Sequence, residues 1–118
     1  MFPTALPKCS LIVLIAAKKV AERTSIFNYE ACYTNYRNFV KNHELPGLSL
    51  SKQVFLKLFV DLVHQGFLRS EGEPCDILNV NNKIGLGFRI KELNQMIEEA
   101  KDRLYMPNAI MMWAMHAS

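Results

Sequence analysis

The chain has 118 residues, half of them apolar and 21% charged, with a formal net charge of +3. That length suits one domain whose core needs no disulfide or metal, and the scattered Cys9, Cys32 and Cys75 read as reduced thiols rather than a secreted disulfide framework. Residues 1–69 hold nine Lys or Arg against four Asp or Glu, and residues 70–118 hold five against seven, so a basic front half could face a polyanion.

Residues 1–7 contain two prolines and read as an irregular lead-in. Residues 8–23 predict a first helix, with Leu11, Leu14, Ile15 and Lys18 on one face and Ile12 and Val13 widening the apolar sector. The apolar run 11–17 is too short for a bilayer, which takes about 20 residues. A single Lys8 precedes it and Lys18, Lys19, Glu22 and Arg23 follow at once, which argues against a signal peptide.

After a short link at 24–27, Asn28 is placed to cap a second helix. Tyr29, Cys32, Tyr33, Tyr36, Phe39 and Val40 recur in it at steps of three and four, while Glu30, Thr34, Arg37 and Lys41 form a separate polar stripe. The rings share their stripe with Cys32 and Val40, so they read as core and not as a base-stacking platform; Arg37 and Lys41 read as helpers in any phosphate contact. Leu45-Pro46-Gly47 breaks the pattern.

A third helix follows, capped by Ser49 or Ser51, with Phe55, Leu58, Phe59 and Leu62 inward and Gly66 as its stop. Residues 66–70 read as a strand, 71–74 as a turn, 76–80 as a short extended piece and 86–90 as a return strand with Phe88 and Ile90 inward. Residues 92–105 predict a fourth helix, and Pro107 suits the first turn of a short last one. In that last helix Met111 and Trp113 are expected in the core, with Met106, Met112 and Met115 left open.

The expected fold class is mainly α with a small β-hairpin: a winged helix, in which the second and third helices form a helix-turn-helix and the hairpin is the wing. The expected division is a winged-helix domain at 8–90 and, at 91–118, a C-terminal helical extension packed on it.

No catalytic, cofactor-binding or metal-ligating constellation stands out. His43, His64 and His116 are scattered, and Glu98, Glu99 and Asp102 are interleaved with Lys101 and Arg103 as on a solvated helix face. The chemistry with most physical content is contact with double-stranded DNA. Lys52, Gln53 and Lys57 are expected on the outer side of the third helix, and Arg69, Asn82 and Lys83 on or near the wing. Lysines there would neutralise phosphates and release counterions, and Gln53 could reach a base edge. The same residues also suit an ordinary surface. Leu56, Val60 and Val63 leave the third helix little purely polar surface, as if a partner covered part of it.

The stretches Phe27-Asn28-Tyr29, Tyr33, Tyr36, Phe39-Val40, SKQVFLKLFVDLVHQGFLRSEG, GFRIK, LIVLIAAKKV and the ending with Pro107 and Trp113 resemble the C-terminal winged-helix region of origin recognition complex subunit 4. The resemblance covers most of residues 8–115. It implies a part in initiating DNA replication, a nuclear location, association with other origin recognition complex subunits, and duplex DNA in the assembly. No Walker A loop is present, so ATP binding is not carried over. Some members of that family insert a helix for sequence-specific reading; residues 71–85 are too short and too broken by Gly, Pro and Asn to supply one. The first reading is therefore a non-specific DNA contact within a complex. The alternative is a winged-helix protein-interaction module without DNA binding of its own, and an enzyme is disfavoured because no cluster of titratable groups is in sight.

Overall fold

The computed structural model describes residues 7–43, 50–72, 77–79, 81–104 and 108–115, with the side chains of residues 43, 101–104 and 108 left aside. Most of the lead-in at 1–7, the breaker at Leu45-Pro46-Gly47, residues 73–76 and 80 of the expected turn and extended piece, and Met106, Pro107 and His116 lie outside these residues; within the expected extended piece, residues 77–78 form a turn.

Five helices and one hairpin follow in the order α1 (Lys8–Ala21), α2 (Tyr29–His43), α3 (Lys52–His64), β1 (Leu68–Ser70), β2 (Ile84–Leu86), α4 (Ile90–Leu104) and α5 (Asn108–Met115). This is a mainly helical, winged-helix-like architecture with a two-stranded antiparallel sheet.

The core is built around α1, which packs against α2, α3, α4, α5 and β2. Every residue from Ser10 to Val20 is buried, so the helix has no solvent face at all. That includes Lys18 and Lys19, only 1% and 2% exposed. Their long stems fill space among apolar neighbours while the ammonium groups find oxygen. Both reach Glu22, at 3.6 and 3.3 Å, and Lys18 also donates to the carbonyl of Ala114 in the last turn of α5. A cation at a helix C-terminus meets the negative end of its dipole. Burial holds the Lys18 ammonium below its usual range, against the opposing pull of Glu22.

The aromatic stripe of α2 faces inward. Tyr29 meets Phe55 and Phe59 of α3 edge-on, with centroids 5.8 and 5.1 Å apart, and Tyr36 lies 5.1 Å from Phe55. Such offset and edge contacts suit the ring quadrupoles. Phe39 stacks flat on Trp113 of α5 at 4.1 Å, which draws the last helix into the same core. Met111 and Trp113 are half-buried against that core, whereas Met112 and Met115 are exposed. Burial pushes the Tyr29 hydroxyl up to about 12 and raises the Cys32 thiol further above its ordinary value.

Local chemistry explains where the elements start and stop. Asn28 Oδ1 accepts from Ala31 N–H at 2.9 Å and Ser51 Oγ from Val54 N–H at 3.2 Å, each satisfying an orphan donor of a helix start. Helix α3 ends in a paired closure: Gly66 N–H donates to Val63 O and Phe67 N–H to Leu62 O, with Gly66 at φ 88°. That pattern needs a left-handed residue, which glycine adopts without a Cβ penalty. It turns the chain directly into β1.

The wing departs from the expected strand positions. The return strand is Ile84–Leu86, not 86–90, in register Leu68↔Leu86, Arg69↔Gly85 and Ser70↔Ile84. The link at 24–27 also joins it, because Phe27 and Ile84 exchange both backbone hydrogen bonds at 3.0 and 2.6 Å. The pairing ends near Gly87, whose N–H donates to Phe67 O; a Cβ there would lie 2.0 Å from Gly66 O. Ile90, expected inward in a strand, instead opens α4. Glu92 reaches back to accept from the Arg89 N–H at 3.3 Å, half of a capping box, and starts the helix two residues early. Nor is the tip wholly polar: Ile77 is buried, at 2% exposure.

Candidate nucleic-acid interface

Helix α3 turns about 100° per residue, which separates its faces cleanly. Phe55, Phe59 and Leu62 point into the core. On the opposite side Gln53, Lys57 and His64 are exposed at steps of four and seven, and Lys52 is exposed on the flank toward α2. His64 was not among the expected contacts, although its spacing from Gln53 and Lys57 carries the signal. Asp61 lies half-buried one turn beyond Lys57 and sets a negative charge into the same stripe.

Leu56, Val60 and Val63 do not leave a bare apolar surface. They are half-buried and pack against the core, and within α3 the exposed large apolar side chain is Val54, at 44%.

On the wing, Arg69 is exposed and pairs across the sheet with Gly85. Lys83 is exposed, and its carbonyl accepts from the Glu71 N–H at 3.0 Å. Arg69, Lys83 and Glu71 thus line one groove of about 330 Å³ whose wall includes Gly85, with no side chain to fill it. The carboxylate there offsets part of the local positive potential.

Asn82 is turned the other way. It is 6% exposed, and its Oδ1 accepts from Ser70 Oγ at 2.9 Å and from Gly72 N–H at 3.0 Å. That oxygen braces the wing from within and is not presented to a ligand. Asn82 was expected to touch DNA; here it is nearly buried with Oδ1 turned into the hairpin, so it is left out of the contact set proposed below.

The remaining expected residues fall into two groups, Lys52, Gln53 and Lys57 on α3 and Arg69 and Lys83 on the wing. Two of the positive charges counted in the basic front half, Lys18 and Lys19, are in the core and add nothing to either group. Among the described residues no three His, Cys, Asp or Glu come together as metal ligands, and no helix is long and apolar enough to cross a membrane.

A helical pair, a third helix presented outward at its end and a hairpin directly behind it define a winged-helix-like domain. The family model for the origin recognition complex subunit 4 C-terminus matches residues 4–97, and the chain belongs to that family. It is thus a domain of a replication-origin recognition complex subunit, which implies association with the other subunits and, in general, a nuclear location; the family is not an enzyme class. The match spans α1 through the middle of α4, so Pro107 and Trp113 lie beyond it. No curated protein and no solved structure gives a significant match.

Proposed function

We propose that this domain contacts duplex DNA through phosphates, inside the origin recognition complex in the nucleus, using Lys52 and Lys57 on α3 and Arg69 and Lys83 on the wing. Gln53 is the one side chain of the set suited to a base edge. The observation that carries the reading is the exposed polar surface of α3: Gln53 and Lys57 on its outer stripe and Lys52 on the flank toward α2, on a helix whose other side is locked into the core by phenylalanines. The contact is weak and indifferent to sequence, because lysines dominate it and the wing carries no inserted reading element in its described residues.

Salt-titrated duplex binding by the wild type, Lys52→Ala/Lys57→Ala and Lys83→Ala tests this. Loss confined to the helix variant supports docking in the groove of the DNA; loss confined to the wing variant supports clamping of the backbone. No binding by the wild type sinks the proposal and leaves the protein-interaction module. That second reading has Val54 in its favour, an exposed apolar side chain in the first turn of α3 next to Gln53.

A further inference from the structure

A groove of about 690 Å³ runs between α2 and the start of α3. Arg37 and Lys41 line it from α2 and Lys52 lines it from α3, all three exposed, and no carboxylate is among its described lining. Arg37 and Lys41 are four residues apart and so neighbours on one helix face. The walls are fixed. Leu50 N–H donates to Tyr36 Oη at 2.5 Å, tying the entry of α3 onto α2, and the Arg37 guanidinium carbon lies 5.8 Å from the centroid of the Tyr33 ring. A cation over a ring is held by its quadrupole without being neutralised.

The other two basic places differ. The wing groove includes Glu71, and the outer stripe of α3 includes Asp61. Of the three, the α2–α3 groove is the one whose described lining holds cations and no carboxylate. Among its described lining no large apolar side chain is exposed. Lys52 belongs to the groove and directly precedes Gln53, so a chain of phosphates filling the groove runs beside the polar stripe of α3.

We propose that this groove seats the sugar-phosphate backbone of duplex DNA, with Arg37 and Lys41 as phosphate contacts alongside Lys52. The proposal rests on the DNA-contact reading above and makes the second helix a principal contact instead of a helper.

The test is fluorescence anisotropy of a labelled duplex titrated with the full chain between about 50 and 200 mM salt. Each phosphate contact contributes about 0.9 to the slope of log affinity against log salt, so Arg37→Gln/Lys41→Gln should flatten it by about 1.8. Over that fourfold span the wild type then loses roughly 12-fold more affinity than the variant. Lys91→Gln, an exposed charge on α4 outside the groove, should leave the slope alone. An unchanged slope in the double variant overturns the proposal, as does equal flattening by Lys91→Gln, which would report net charge only. Binding that is lost in Lys52→Ala/Lys57→Ala but indifferent to Arg37→Gln/Lys41→Gln overturns the groove alone; no salt-dependent binding by the wild type overturns the reading beneath it. A poly-glutamate peptide that binds through Arg37 and Lys41 where the duplex does not would assign the groove to an acidic protein partner.

Discussion

Asn82→Ala separates a brace from a contact. The substitution removes the acceptor of two hydrogen bonds, from Ser70 Oγ and Gly72 N–H, at a site that is almost fully buried. A typical internal hydrogen bond contributes about 1 kcal/mol net, so losing both would cost about 2 kcal/mol, less whatever the Ser70 hydroxyl recovers by turning to Gly72 O, 3.0 Å away. Gly72 is exposed and its N–H can turn to water, which lowers the expected loss to about 1–2 kcal/mol. The assay is guanidinium unfolding followed through Trp113, the sole tryptophan, whose stacking on Phe39 makes its emission sensitive to the core. Asn82→Asp keeps the acceptor oxygen and should recover most of the stability. Because no charge leaves in Asn82→Ala, the salt slope of duplex binding should not move, whereas Lys83→Ala should flatten it by about 1. A loss of stability below about 0.5 kcal/mol together with a large drop in DNA affinity would refute the reasoning and return Asn82 to the contact surface.

Further outcomes are expected from the core and the wing. Gly87→Ala puts a Cβ 2.0 Å from Gly66 O, backbone against backbone, so the wing must shift; unfolding should show a loss above about 2 kcal/mol, and a neutral result would mean that the chain after β2 does not approach the end of α3 so closely. Phe55→Ala empties the ring that meets Tyr29, Tyr33 and Tyr36 and should cost about 3–5 kcal/mol in chemical denaturation. Tyr29 is held neutral in the fold up to about pH 12 but ionises near pH 10 when unfolded, so its contribution is full below pH 10 and is lost as pH rises toward 12. Lys18 works in the opposite sense, gaining stability as pH climbs from its lowered folded value toward 10.5. The comparison of wild type with Tyr29→Phe isolates the tyrosine: the variant should lose less stability than the wild type between pH 10 and 12. At pH 7 Tyr29→Phe should cost little, since the hydroxyl has no hydrogen-bond partner among the described residues.

The helices could be read from the chain because each repeats its apolar side chains at steps of three and four, and because Asn28, Ser51 and Gly66 carry local chemistry that acts at the position where it is written. The return strand could not. GFRIK has the composition of a strand, yet the pairing stops at Leu86, and the Glu92 carboxylate reaching back to Arg89 N–H starts α4 at Ile90. Burial of Lys18 and Lys19 was hidden for a similar reason: a pattern reading sends charge to solvent, and only the assembled fold supplies Glu22 and the Ala114 carbonyl. At the candidate site, the exposure of Lys52, Gln53 and Lys57 follows from helical period alone. The inward turn of Asn82 depends on a pairing across the hairpin, and the α2–α3 groove on how two helices meet, neither of which is visible along one segment.

The central claim is that this origin recognition complex subunit 4 domain meets DNA through phosphates. Its most direct test is the dissociation constant of the full chain for duplex DNA measured as a function of salt. Micromolar or weaker affinity that falls steeply as salt rises is expected, with the slope flattened by about 1.8 in Lys52→Ala/Lys57→Ala. Binding that ignores salt, or no binding at low salt, would contradict it.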